Sequence, residues 1–135
     1  MTPARKFWLA AGLSLAACPA AAQQQSFARC DHFQAQALAN EVERLKESLE
    51  SGADIECRQA LFNDSTALMQ AAGSGSVDAV RLLLQRGAKV NARDKSGWTA
   101  LRHARHRYEA LSKAGVPTLS FELVIELLKQ AKATE

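Results

Sequence analysis

The run Thr66–Leu101, TALMQAAGSGSVDAVRLLLQRGAKVNARDKSGWTAL, opens and closes on the same three residues. Thr66-Ala67-Leu68 returns 33 residues on as Thr99-Ala100-Leu101. What lies between reads as two short helices and a turn-rich connection. The Thr66 hydroxyl can cap a helix N-terminus, and Leu68, Ala71 and Ala72 share one face of the helix that follows. Gly75 stands where that helix must stop in a left-handed conformation. A second helix starts near Ser76, with Val77, Val80 and Leu84 on one stripe and Leu83 beside it; Gly87 ends it. Lys89 to Trp98 is polar and turn-rich, as a hairpin-like connection is.

The same pattern extends in both directions. Shifted upstream by 35 residues, Leu68, Ala72, Val77, Val80 and Leu84 fall on Phe33, Ala37, Val42, Leu45 and Leu49. Gly87-Ala88-Lys89-Val90 falls on Gly52-Ala53-Asp54-Ile55, and Asn40 takes the place of Gly75. Downstream, Ser76, Val77, Val80, Leu83 and Leu84 fall on Ser120, Phe121, Val124, Leu127 and Leu128 at an offset of 44, one period plus 11 inserted residues. A helix pair this small cannot bury its own apolar face, so pairs must stack into a solenoid. The motif from Thr66 to Ala104 closely resembles the ankyrin repeat. The resemblance implies an all-α repeat fold, a short ankyrin solenoid of helix-turn-helix units with β-hairpin-like fingers. Three repeats are expected, at about 31–63, 64–96 and 97–133, with an inserted segment near 109–119 and a linker at 23–30. The last copy departs from the pattern: Arg105 replaces an alanine, and Ala131-Lys132 stands where a closing glycine is expected. Glu41, Glu43, Lys46, Glu47 and Glu50 give the first copy a solvated outer face. In the insertion, Gly115 ends a prolonged helix, Val116-Pro117 turns the chain and Ser120 caps the next helix. Leu111, Val116 and Leu119 suggest that it covers the end of the stack, with a specific contact for a partner as the alternative.

The 135 residues are 47% apolar and 23% charged, a balance for one globular domain. The first 22 read as an address. Arg5 and Lys6 precede an apolar stretch from Phe7 to Ala17, and Ala20-Ala21-Ala22 offers small residues for cleavage before Gln23, the pattern of a secretory signal peptide. Leu15-Ala16-Ala17-Cys18 also resembles a bacterial lipobox, which would leave an acylated Cys18 tethered to a membrane. The expected location is periplasmic or secreted, with a membrane-anchored lipoprotein as the alternative. Without Arg5 and Lys6, 15 basic residues face 14 acidic ones, a charge of +1 that argues against a nucleic-acid partner. Two cysteines remain, Cys30 and Cys57. In an oxidising compartment an even pair reads as one disulfide, with two buried free thiols as the alternative.

No metalloprotease, nucleophile-elbow, phosphate-loop or C-x-x-C motif is present, so no catalytic residue and no cofactor is assigned and the chain is not read as an enzyme. Gly73-Ser74-Gly75-Ser76 lacks the lysine of a phosphate loop. His103 and His106 share a helix face, but Arg102, Arg105 and Arg107 around them repel a cation, and no metal site is assigned.

The resemblance to ankyrin repeats implies a protein-binding scaffold whose finger tips and first helices form a concave face. Carried over by position, that face includes Ser65, Gln70 and Ser74 in repeat two, and Lys95, Ser96, Trp98, His103, His106 and Arg107 in repeat three. A tryptophan ringed by arginine has the composition of an interface hot spot. The expected function is a non-catalytic periplasmic module that binds another protein and is itself a monomer, an accessory or immunity-type partner of an exported enzyme or toxin. The alternative is a small ligand- or metal-binding protein or enzyme using His103, His106 and the insertion.

Overall fold

A computed structural model describes the backbone of residues 19–135 and the side chains from residue 29 onward. Most of the expected signal peptide, with Cys18, lies outside the described residues. Among these residues the chain forms six helices: α1 (Pro19–Leu38), α2 (Val42–Glu50), α3 (Ala67–Ser74), α4 (Val77–Gln85), α5 (Ala100–Lys113) and α6 (Leu119–Gln130), with a 3-10 turn at Ala60–Phe62. The segment 23–30, expected as a linker, lies within α1. None of these helices is long and apolar enough to cross a membrane.

The helices stack in two rows. An inner row places α3 between α1 and α5, and an outer row places α4 between α2 and α6. One continuous core runs through both, from Phe33 and Leu45 through Leu68, Val80 and Leu83 to Leu101, Val124 and Leu128. Ala71, Ala72, Ala79 and Ala104 are buried on the contact faces, where their small side chains let neighbouring backbones approach. The acidic outer face of α2 is exposed as expected.

The turns within each repeat obey the glycine logic. Gly75 takes φ +74°, and a side chain there would meet Ser120 Oγ at 2.9 Å and the Phe121 ring at 3.1 Å. Asn40, its counterpart, takes φ +57° and adds a contact that glycine cannot make. Its Oδ1 accepts the Ala79 N–H at 2.9 Å, so repeat one caps the second helix of repeat two. Ser76 Oγ returns the link by donating to the Leu38 carbonyl at 2.9 Å.

The structure refines four local expectations. The fingers contain no strand among the described residues; a single antiparallel bridge, Gln59 with Ser65, closes the first. Each finger is too short for a ladder and is held by backbone turn bonds, such as the Asp94 N–H to the Trp98 carbonyl at 3.0 Å, together with side chains. The last repeat is offset by 45 residues, not 44. Buried Leu83 corresponds to buried Leu128, helix ends Gln85 and Gln130 correspond, and Gly87 at φ +82° corresponds to Lys132 at φ +62°. The insertion also covers less than expected. Leu111 is half-buried, but Val116 is 45% and Leu119 66% exposed. Thr118, not Ser120, holds the N-cap position of α6.

Candidate functional site

The first finger is anchored from below. Gln34, buried on α1, donates its amide to the carbonyls of Cys57 and Ser65, both at 2.9 Å. That clamps the two ends of the finger, and the 3-10 turn between them pushes Leu61 and Phe62 outward, to 91% and 57% exposure. Left-handed Asn63 and Asp64 then turn the chain back. Cys57 sits at the finger's base at disulfide distance from Cys30, with Cα atoms 5.8 Å apart.

The second finger is built around Asp94. One carboxylate oxygen accepts the N–H groups of Ser96 and Trp98, each at 2.9 Å, and the other lies 2.8 Å from His103 Nε2. Burial alone would raise the pKa of this carboxyl. The Trp98 N–H, the imidazole of His103 and the Ser96 N–H together outweigh it and hold the group below its ordinary value of 3.8. The two fingers are laced together. Lys95 N–H donates to the Asn63 carbonyl at 3.0 Å, Asn63 Nδ2 to Ser96 Oγ at 2.7 Å, and Arg58 to the Arg93 carbonyl at 2.7 Å.

The nine residues expected at a partner face separate into two groups. Ser65, Gln70, His103, His106 and Arg107 line one groove together with Leu38, Leu61, Phe62, Asn63 and Gly73. Within it, Ser65 is buried and its hydroxyl accepts from Gln70 Nε2 at 2.7 Å, while His103 is engaged by Asp94. Ser74 points elsewhere, donating to the Ala71 carbonyl and lying 2.7 Å from Ser76 Oγ. Lys95 and Ser96 sit at the finger contact. Trp98 packs against its own repeat: its ring lies 5.2 Å from His103 and 5.1 Å from His106, with the Arg102 guanidinium 4.8 Å above it. The residues that hold the site together, Gln34 and Asp94, were not singled out by the sequence reading. Asp94 had a signal, an Asp two residues before Ser96 in a Gly-containing turn; Gln34 had none. Among the described residues, no three His, Cys, Asp or Glu side chains are arranged to hold a metal ion.

Comparison with known proteins matches residues 32–113 to the family model of ankyrin repeats in three copies. The chain belongs to the ankyrin-repeat family. It is 36% identical over 87 residues to human M-phase phosphoprotein 8, covering 61% of this chain and 10% of that protein. Human Arf-GAP with coiled-coil, ANK repeat and PH domain-containing protein 2 is 41% identical over 61 residues, 45% of this chain and 8% of that protein. Rat mitochondrial disaggregase is 59% identical over 38 residues, 28% of this chain and 6% of that protein. The chain thus spans a tenth or less of each of these relatives. Among solved structures, the ankyrin repeat domain of human ASB11 superposes with a TM-score of 0.61 at 22% identity, over 76% of this chain and 40% of that one. Ankyrin repeats are protein–protein interaction modules and generally non-catalytic, and the fold seen here is theirs.

Proposed function

We propose that this ankyrin-repeat chain is an exported, non-catalytic docking module whose partner protein sits in the groove between the first finger and α5. The observation that supports it most is the exposure of Leu61, Phe62 and Leu38 along one wall of a preformed groove. Isolated exposed leucines are ordinary, but three large apolar side chains along one concavity mark an interaction site. The facing wall carries His106 and Arg107, and arginine is a common interface anchor. Export to the periplasm rests on the N-terminal pattern of 1–22 and is consistent with the Cys30–Cys57 pair. An accessory or immunity-type role toward an exported enzyme or toxin fits a small module with no catalytic constellation.

The test places a photo-crosslinking amino acid at Leu61 and, as a control, at Lys46 on the acidic outer face. The reading expects one protein to be captured from the producing cells at Leu61 and not at Lys46, and the capture to be lost in a Phe62→Ala/Arg107→Glu variant. Equal capture at both positions overturns it. Trp98 and His103 are left intact in this test because both support the second finger. The intact mass of the exported product distinguishes a chain starting at Gln23 from one acylated at Cys18.

A further inference from the structure

Resting on that docking groove, the geometry points to the chemistry of its occupant: an extended protein segment with a large apolar side chain flanked on one side by acidic residues. The groove has two chemically different ends that share a middle. Leu38, Phe62 and Gln70 line both the wide concavity that reaches His106 and Arg107 and a narrower pocket of about 210 Å³ that reaches Asp31, Gln34 and Gln59. The middle carries the apolar side chains of Leu38 and Phe62, one end carries Arg107 beside the already engaged Asp94, and the other end carries the Asp31 carboxylate.

The cationic end is not neutralised internally. Arg107 and Lys95 have no ion-pair partner among the described residues. Arg58 donates to the backbone carbonyls of Asp64 and Arg93 rather than to a carboxylate. Asp94, the nearest buried acid, is already engaged by His103, Ser96 and Trp98. The outer helix α2 carries the opposite balance, with Glu41, Glu43, Glu47 and Glu50 against Arg44 and Lys46. An acidic segment is thus drawn to the Arg107 wall and repelled by the α2 face.

The far end decides which side of the anchor carries the charges. Asp31 accepts from Gln59 Nε2 and places its carboxylate beside the narrow pocket. Carboxylates of a bound segment lie toward Arg107, and the apolar side chain enters between Leu38 and Phe62. Acids lying toward the narrow pocket would instead set like charges against Asp31.

The experiment titrates the full chain, followed by backbone amide resonances, with the capped pentapeptide Phe-Glu-Asp-Glu-Asp. Two controls accompany it: the same peptide with Ala for Phe and with Lys for every acid. The proposal expects shifts at Leu38, Phe62, Gln70 and Arg107. Binding should be at least about tenfold weaker for the Ala peptide, the fold-change for losing one buried aromatic side chain. It should be undetectable for the Lys peptide, and several-fold weaker when salt rises from about 0.02 to about 0.3 M. Phe62→Ala, at an exposed position, should erase the Phe preference, and Arg107→Glu should erase the preference for acid. Equal binding of acidic and basic peptides, or shifts confined to other faces, overturns the proposal. So does sedimentation with phosphatidylglycerol vesicles without any peptide shift, which assigns the cationic wall to lipid. A protein crosslinked at Leu61 alongside indifference to peptide charge sinks this inference while leaving the docking role intact.

Discussion

Asp94 Oδ2 lies 2.8 Å from His103 Nε2, and this contact joins the second finger to the first turns of α5. The same carboxylate organises the finger turn through Ser96 and Trp98. One buried side chain therefore sets both the finger's shape and its angle to the groove wall. Asp94→Ala should cost about 2 kcal/mol, because it leaves polar partners without their acceptor. Asp94→Asn, which keeps one acceptor oxygen, should cost about half as much. The pH dependence has a definite sign. Folding lowers this carboxyl below 3.8, so its contribution is present above that value and is lost as pH falls through the still lower folded-state value. The stability gap between wild type and Asp94→Asn should narrow below about pH 4. Urea titrations at successive pH values check this, and a gap independent of pH contradicts it.

Asn40 combines two demands that can be separated by substitution. Its backbone is left-handed at φ +57°, and its side chain caps α4 by accepting the Ala79 N–H. Asn40→Gly meets the first demand and fails the second, so it should cost at most about 1 kcal/mol. Asn40→Ala fails both and should cost about 2 kcal/mol. If the two variants unfold at the same denaturant concentration, the left-handed conformation carries no weight there.

The helical repeat was legible because its signals are local and recur: Thr66 and Thr99 as caps, Gly75 and Asn40 at left-handed turns, and the Leu68–Val80–Leu101 seam. Thr66 and Thr99 each accept a backbone N–H from three residues on, as a capping threonine does. The groove was legible only in part. His106 and Arg107 follow from their place on the inner helix, but the exposure of Leu38 depends on which side of α1 faces repeat two. Ser74 was misdirected by a nearer partner, Ser76, which no repeat position encodes. The offset of the last repeat was missed by one residue because Leu127 and Leu128 are chemically alike, and only burial distinguishes them.

Cys30 and Cys57 lie 27 positions apart in sequence, and Cys30 is buried. A disulfide there would remove about 3.5 kcal/mol of unfolded-chain freedom in the loop-entropy account. Purified chain should resist alkylation at both thiols until it is reduced. Reduction should lower stability by about 3 kcal/mol without unfolding the groove, since Gln34 still holds the Cys57 carbonyl. Ready alkylation of both cysteines before reduction contradicts the bond.

Lys132 offers a test of the register itself. Gly52 and Gly87 close the first two repeats at φ +89° and +82°, and Lys132 occupies the matching turn at φ +62°. A lysine pays a steric penalty there that glycine does not. The contacts beyond the turn involve its neighbours and its own carbonyl: Thr134 N–H donates to Asn91 Oδ1 at 2.7 Å, as Lys89 N–H donates to Glu56 Oε1 at 2.7 Å one repeat earlier. Lys132→Gly leaves these intact and should stabilise the chain by about 1 kcal/mol, raising the melting temperature by about 4 °C. Lys132→Ala should give no such gain. Had the offset been 44, Ala131 would hold the left-handed position, and Ala131→Gly would be the stabilising change. With Ala131 at a negative φ of −80°, that substitution should instead cost about a few tenths of a kcal/mol. The two melting curves, measured side by side, decide which residue closes the last repeat.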